Sequence, residues 1–430
     1  MFGAGLLWWI NVVNAPIKIY LYIGAFLLYC YFGLIFLVVA FFLKFLRNVY
    51  FFPVIWTGIE FLRGLSADLG FTWGSLPYAF AHHPEFLQFI DITGMYGFTF
   101  FVCLINVFIY MIFFKKRYKL AIVVILLIIF DYIYGKIKMK FYDSKKYQEK
   151  EVYIVQSAIP PEVKTEKENR ERYKLFYEMT KRCKNCDLII WSESALPSIR
   201  LFRSYFKISL KDFVASLGTG LVFGTIRYGS AGYYNSVAFC HGDTIEFYDK
   251  MYLVPFSERI PFEDIFKFLK KLHLGGSHFS RGREFKVFNY RGIKFCVLIC
   301  WEGIFPRLVR KFVERGANLL INISEDMWFG RTSGPYQHAG MTVLRSIEYR
   351  RALVRCATAG ISQVVLPSGR ISFRTNLFER KIAKVKVPLN SGLTIYAKAG
   401  DLFSYLILFL LIIFVAFRSR HSNFFRRCCF

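Results

Sequence analysis

The sequence predicts a membrane α-helical bundle joined to an α/β layered domain that faces water. Three observations carry this reading. Apolar residues crowd into positions 1–134 and again into 402–417, while the stretch between them reads as an ordinary water-facing domain. That middle stretch alternates short β-rich runs with helical ones, the pattern of helices covering sheets. Finally, lysines and arginines gather at the ends of the apolar runs. At 55% hydrophobic, 19% aromatic and a mean hydropathy of +0.36, the whole is too apolar for a typical soluble chain.

The spans follow from uninterrupted apolar length. Ile19 to Leu43 carries no charge, and at about 1.5 Å per residue such a stretch crosses a hydrocarbon core of about 30 Å. Ile92 to Phe114 is a second clear span, and Leu402 to Phe417 lies uncharged between Asp401 and Arg418. Met1 to Val13, Val49 to Leu65 and Leu120 to Tyr134 are weaker, and the strong spans around them favour membrane for these too. Residues 1–134 thus hold about five transmembrane helices, and 401–430 a last helix with a basic tail. Lys44 and Arg47, the Lys115–Lys119 cluster, and Arg418, Arg420, Arg426 and Arg427 all fall on one side if the six spans alternate. The positive-inside bias makes that side cytoplasmic and leaves 135–400 as an extracytoplasmic domain. Lys136, Lys138 and Lys140 oppose this, but they lead into a large domain whose charges count little.

Within 135–400, the runs Val152–Ile159, Leu188–Ser192, Leu221–Tyr228, Asn235–Cys240, Ile293–Cys300, Asn318–Ile323 and Leu353–Arg355 predict strands. Glu162–Arg182, Tyr205–Leu217, Phe305–Glu314 and Tyr336–Arg351 predict helices. The formal charge of +27 raises the question of nucleic acid, but the placement beside apolar runs fits anionic lipid instead, and no base-reading module is present. The ten cysteines form neither a disulfide framework nor a metal set. Cys183 and Cys186 are read as a local disulfide or a coincidence, and Cys428 and Cys429 have no reading. His82, His83 and His338 lack recurring ligand spacing, so no metal and no cofactor are expected. Glu60 and Arg63, inside an expected span, are read mainly as structural.

Three residues attract chemical attention. Cys300 ends the apolar strand Phe295–Ile299 and precedes Trp301-Glu302-Gly303; a strand that turns into a helix exposes a side chain and aims backbone N–H groups at one point, as an oxyanion requires. Glu193 stands at the mouth of the buried run Leu188–Trp191, where burial raises a carboxyl towards the range of a general base. Lys250 lies in Tyr248-Asp249-Lys250, and an ammonium beside a thiol favours the thiolate. Taken singly, a structural thiol, a solvated carboxylate and a surface lysine are the bland alternatives.

Together, and in the order Glu, Lys, Cys, the three resemble the triad of the nitrilase or carbon–nitrogen hydrolase superfamily. The segments Trp191-Ser192-Glu193-Ser194-Ala195-Leu196-Pro197, Leu253–Glu258, Ile299–Glu302, Trp328-Phe329-Gly330, Gly334–His338 and Arg355–Ser362, with Glu60–Gly64 and Gly70–Gly74, narrow the likeness to the apolipoprotein N-acyltransferase family. The resemblance implies a nitrilase-like αββα sandwich at 135–400 on the periplasmic side of a bacterial inner membrane. It implies Glu193 as base, Lys250 as oxyanion stabiliser, Cys300 as nucleophile and Glu258 as a supporting carboxylate. Trp301, Glu302 and Trp328 would meet substrate, the last two at its entrance, with Trp328 on a mobile loop. The implied reaction is ping-pong: a phospholipid gives its acyl chain to Cys300 as a thioester, and the α-amine of a diacylglyceryl-cysteine on an apolipoprotein then takes it.

The sequence departs from the family pattern in four ways. Trp301 replaces a tyrosine, Glu325 replaces an asparagine, a tryptophan expected near Thr165 is absent, and about two N-terminal spans are missing. Two other readings share the observations: a membrane-tethered nitrilase-type amidase that passes the thioester to water, and a catalytically inactive membrane scaffold.

Overall fold

The computed structural model describes residues 2–13, 18–159, 166–196, 204–263, 265, 266, 268 and 278–428. Thr165 and Cys429 lie outside them. The chain opens with α1 (Phe2–Leu7), followed by a 3-10 turn, Trp8–Val12. Then come α2 (Lys18–Leu46), α3 (Phe52–Arg63), α4 (Ile90–Thr93), α5 (Met95–Lys115) and α6 (Leu120–Ser144). Among the described residues, four helices are long and apolar enough to cross a bilayer: α2, α5, α6 and Leu402–Ser419 within α12 (Leu402–Cys428).

Two expected spans are corrected. Pro53 in its first turn and Gly64 at its end bound α3 to 12 residues, about 18 Å against a core of about 30 Å. Nine of those residues are buried, because the helix packs between α5 and α12 as part of the bundle's interior. Phe2–Val12 is likewise short, with Phe2 against Phe32 and Phe36 of α2 and Trp9 against Trp73 and Phe329. The domain boundary also shifts. Helix α6 continues past Tyr134 to Ser144, carrying Lys136, Lys138 and Lys140, with Lys138 Nζ 3.5 Å from Asp91. The α/β domain therefore starts with the strand at Gln148 rather than at 135, and that strand begins four residues ahead of the expected Val152.

The α/β part holds two six-stranded sheets. The first contains β1 (Gln148–Gln156), β2 (Leu188–Trp191), β3 (Gly220–Gly229), β4 (Gly232–His241), β5 (Thr244–Asp249) and β12 (Lys381–Leu389), in the order β12-β1-β2-β3-β4-β5. The second contains β6 (Phe288–Tyr290), β7 (Ile293–Ile299), β8 (Leu319–Ser324), β9 (Ala352–Ala357), β10 (Gln363–Val365) and β11 (Ile371–Arg374), ordered β11-β10-β9-β8-β7-β6. Each has three parallel strands at its centre, β1-β2-β3 and β7-β8-β9, with antiparallel strands outside them. Helices α7 (Glu166–Thr180) and α8 (Ser204–Leu217) belong to the first half, and α9 (Pro306–Glu314), α10 (Gly334–Tyr349) and α11 (Ile395–Ala399) to the second.

The period-2 pattern explains the layering. Val152, Ile154, Leu188 and Ile190 point into the core shared with Val297, Ile321 and Val354, whereas Val155, Ile189 and Trp191 pack with Phe176, Phe213 and Val214 of the covering helices. This is the αββα sandwich that the sequence predicts. Cys183 and Cys186 are buried free thiols in that outer layer, so the disulfide reading is corrected.

The bundle and the sandwich meet through buried polar contacts. Arg350 is 1% exposed and reaches Asp91 Oδ2 at 2.8 Å, Gln88 Oε1 at 2.7 Å and the Gln88 carbonyl at 2.8 Å. The Met95 amide donates to Glu348 Oε1 at 3.1 Å, and Ser368 Oγ to Asp143 Oδ1 at 2.7 Å. The ends of α5 and α6 nearest the sandwich are thus fixed, and the basic clusters at 44–47 and 115–119 occupy the opposite helix ends.

Candidate active site

Five of the candidate residues follow the carboxyl ends of strands, where open α/β sheets present their sites. Glu193 follows β2, Lys250 follows β5, and Cys300, Trp301 and Glu302 follow β7 in a 3-10 turn, Cys300–Ile304. Cys300 has φ of 52°, a left-handed conformation that costs a non-glycine residue about 1–2 kcal/mol. Its surroundings must therefore hold it. Asn322 Nδ2 does part of this, donating to the carbonyls of Leu298 at 2.8 Å and Cys300 at 3.0 Å.

The structure brings Glu193, Lys250 and Glu258 together. Lys250 is 1% exposed, with Nζ 2.9 Å from Glu258 Oε1 and 3.8 Å from Glu193 Oε1. Asn235 Nδ2 donates to both carboxylates, at 2.9 Å to Glu193 and 2.8 Å to Glu258. The Glu325 amide donates to Glu193 Oε2 and the Val254 amide to Glu258 Oε2, each at 2.8 Å. Asn235 was not foreseen; its signal is a polar side chain at an inward position of an otherwise apolar strand.

Burial raises the Glu193 carboxyl above the ordinary glutamate range; Lys250 opposes the rise, and Glu258 adds to it. For Lys250, burial works against the charge, but Glu258 and Glu193 outweigh it and hold the ammonium firmly protonated. Burial and then Glu193 push the Cys300 thiol up, while Lys250 and Ser324 pull it down. The three groups thus influence one another's charge: the Lys250 ammonium stands between two carboxylates and lowers the Cys300 thiol against the rise that burial and Glu193 impose.

Glu302 does not line an entrance. It is fully buried and accepts four hydrogen bonds: Oε1 from Tyr248 Oη at 2.8 Å, Met251 N at 2.7 Å and Tyr252 N at 3.1 Å, and Oε2 from Ile299 N at 2.9 Å. It ties the chain after Lys250 to the strand before Cys300. A carboxylate in a Cys-Trp-Glu turn looks exposed in sequence, but inward-facing amides convert it into a bracket. Trp301 is 9% exposed and sits between Phe71 and Phe305, with ring centroids 6.0 and 5.2 Å away. Trp328 is 39% exposed on the turn Met327–Phe329, so it alone of the three presents its ring openly.

Beside Cys300 lies a second buried group. Cys300, Asp326 and His338 offer S, O and N atoms within 4.8 Å of one another. Arg355 supplies the cation there, with Nη2 2.6 Å from Asp326 Oδ2 and 3.1 Å from His338 Nδ1.

Comparison with known proteins agrees with this architecture. Residues 152–393 match the carbon–nitrogen hydrolase family, and residues 1–108 match the apolipoprotein N-acyltransferase N-terminal domain. The apolipoprotein N-acyltransferase of Geobacter metallireducens is 33% identical over 373 residues, covering 82% of this chain and 71% of that protein. That of Chlorobaculum tepidum is 30% identical over 389 residues, covering 81% and 73%. Apolipoprotein N-acyltransferase 2 of Treponema denticola is 31% identical over 408 residues, covering 86% and 77%. Among solved structures, an amidase of the nitrilase superfamily from Nesterenkonia aligns with TM-score 0.45 at 16% identity, over 61% of this chain and 97% of that one. With both of its parts matched and these relatives spanning most of its length, the chain belongs to the apolipoprotein N-acyltransferase family.

Proposed function

We propose that this protein is a multi-pass membrane N-acyltransferase that moves a fatty acyl chain from a phospholipid to the α-amine of a diacylglyceryl-cysteine on apolipoproteins. The observation that carries the reading is the placement of Glu193, Lys250 and Glu258 as one buried, hydrogen-bonded set at the strand ends that also present Cys300. Family membership over both the membrane part and the sandwich supports it, since a soluble amidase has no use for the first 108 residues.

In the first half-reaction Glu193 takes the Cys300 proton and the sulfur attacks the ester carbonyl of the lipid. Lys250 faces the negative charge that develops on the carbonyl oxygen, and Glu258 with Asn235 holds Lys250 in place. Collapse breaks the ester C–O bond, and the glyceryl oxygen leaves with the proton from Glu193. In the second half-reaction the acceptor amine attacks the thioester, Glu193 takes the amine proton, and the sulfur is released. Trp301 and Trp328 meet the lipid chains. Glu302 acts from behind the site, by holding it together.

The helix ends support an orientation. Because the sandwich joins the bundle opposite the basic clusters, the positive-inside bias puts it outside the cytoplasm, on the periplasmic side of the inner membrane. Residues 1–144 then form the membrane part, 148–400 the catalytic part, and 401–430 the last span and a basic cytoplasmic tail. Incubating detergent-purified protein with phosphatidylethanolamine and a diacylglyceryl-cysteine peptide tests the assignment by mass. The reading expects one added acyl chain on the peptide's α-amine, lost in Cys300→Ala. Free fatty acid with unmodified peptide would overturn it in favour of hydrolysis.

A further inference from the structure

The seam between the bundle and the sandwich holds a cavity of about 270 Å³ that the acyl-transfer chemistry does not use. Its charged lining is Lys138 of α6, Lys145 just beyond that helix, Arg350 at the end of α10 and Asp91 of α4. Asp91 is already engaged: Arg350 donates to its Oδ2 from Nε at 3.0 Å and from Nη2 at 2.8 Å, whereas Lys138 Nζ stands off at 3.5 Å. Lys145 has no carboxylate partner among the described residues, and its ammonium lies over the Tyr147 ring, 5.4 Å from the centroid. Three cations less one carboxylate leave two positive charges in excess. The walls stand without an occupant. Lys138 and Arg350 lie over the Tyr142 ring, 5.8 and 4.2 Å from its centroid. Asn390 Nδ2 donates to the Arg350 carbonyl at 2.6 Å, and Arg351 Nη1 to the Gly392 carbonyl at 2.7 Å, so the loop after β12 is held against the end of α10. A pocket formed in advance has little ordering cost left to meet on binding.

The depth of the cavity identifies what surrounds it. Helix α6 starts at Leu120 beside the basic cluster, and Lys138 lies 18 residues on (138 − 120), about 27 Å at 1.5 Å per residue. That is close to the full thickness of a hydrocarbon core of about 30 Å, so Lys138 stands at the far headgroup boundary. The rim agrees. Ile92, Leu393 and Ile395 line the cavity and are exposed, which suits acyl chains better than water. Tyr142 and Tyr147 are of the residue type that gathers at that boundary.

We propose that this cavity binds the headgroup of an anionic phospholipid, its phosphate held by Lys138 and Lys145 and its acyl chains against Ile92, Leu393 and Ile395. A phosphate diester brings one negative charge to a lining with two positive charges in excess, and ammonium–phosphate contacts are of the strong, charge-assisted kind. Asp91 narrows the headgroup. It is buried, and its Oδ1 has no hydrogen-bond partner among the described residues. A headgroup with hydroxyl donors beside the phosphate, as in phosphatidylglycerol, fits that acceptor, whereas a choline has no donor to give. The site is separate from the reaction. His338 lies beside Cys300, and Arg350 is twelve residues further along the same helix (350 − 338), about 18 Å. A lipid bound there joins α4 and α6 of the bundle to the loop after β12 of the sandwich and is not an acyl donor.

The test is photo-crosslinking of the detergent-purified full chain with a dialkyl ether phosphatidylglycerol that carries a diazirine near its glycerol backbone. Ether linkages prevent this probe from serving as an acyl donor, and the labelled peptides are read by mass. Adducts are expected on peptides covering 138–145 and 390–395. Unlabelled ether phosphatidylglycerol should displace them at least tenfold more effectively than ether phosphatidylcholine or free glycerol 3-phosphate. Lys145→Gln should lower the labelling threefold or more, and Lys138→Gln/Lys145→Gln tenfold or more. Lys138 also stands near Asp91, so if the double variant does not fold, Lys145→Gln alone decides. Labelling spread evenly over the lipid-facing helices, or unchanged in a folded Lys145→Gln protein, overturns the proposal. Displacement by glycerol 3-phosphate as effective as by the lipid also overturns it, leaving a site for soluble phosphate. Equal displacement by phosphatidylcholine would overturn the choice of an anionic headgroup.

Discussion

Glu302 separates two accounts of the turn after the nucleophile, and Glu302→Gln is the perturbation that tests them. The glutamine keeps one oxygen for the three donors Tyr248 Oη, Met251 N and Tyr252 N, but sets an NH2 against Ile299 N–H, where the carboxylate accepts at 2.9 Å. One buried donor left unpaired costs about 1–3 kcal/mol. The three remaining bonds lose their charge assistance, roughly half their strength. Part of this is offset, because burial already raises the Glu302 carboxyl to about 7, so the ionised form is held at some cost. A net loss of about 1–3 kcal/mol corresponds to a fall in Tm of about 2–12 °C for a domain of this size. The assay is thermal unfolding in detergent at pH 8, where Glu302 is ionised, alongside steady-state kinetics with varied phospholipid. The bracket account expects a lower Tm and a lower kcat with KM for the donor little changed. An unchanged Tm with a raised KM would refute it and return Glu302 to the substrate.

Other perturbations test the remaining parts. Burial lifts Glu325 from the ordinary 4.5 to about 8, so the fold binds a proton that the unfolded chain releases, and stability falls as pH rises between those values. Glu325→Gln should therefore gain in Tm over the parent across that window and hold a constant gain above it; a difference that does not change with pH would exclude this. Arg350→Met removes one of two cations beside the buried Asp91, leaving Lys138 at 3.5 Å, and leaves Gln88 Oε1 unpaired, a loss of about 1–3 kcal/mol that should loosen the bundle from the sandwich. Protease cleavage near residues 84–94 would report it, and parental resistance would contradict it. Lys250→Met leaves Glu193 and Glu258 without their cation and should slow thioester formation by about 10²–10³; a rate within threefold of the parent would remove Lys250 from the oxyanion role.

The order of legibility follows from physics. Strands with apolar residues on both faces, such as Leu188–Trp191 and the run Phe295–Ile299, are plain in sequence because burial on two sides leaves no polar interruption. The edge strands β5, β6, β11 and β12, with the three-residue β10 beside β11, are not legible in the sequence. Lys381–Leu389 alternates lysines with apolar residues, but its lysines resemble a solvated loop until β1 pairs with it. The length of α3 was overread because an apolar run says nothing about whether protein or lipid surrounds it. Glu193, Lys250 and Cys300 were visible through motif and order, while Asn235 and the Asp326–His338–Arg355 group depend on contacts between strands distant in sequence.

The central claim is that Cys300 carries the acyl chain. Its most direct test is peptide mass spectrometry of the full-length protein after incubation with phosphatidylethanolamine, without acceptor. The account predicts a fatty acyl mass on the peptide containing Cys300, removed by hydroxylamine and reduced by Glu193→Gln or Lys250→Met. A folded protein that gives no such adduct, or that carries the acyl group on another residue, would contradict it.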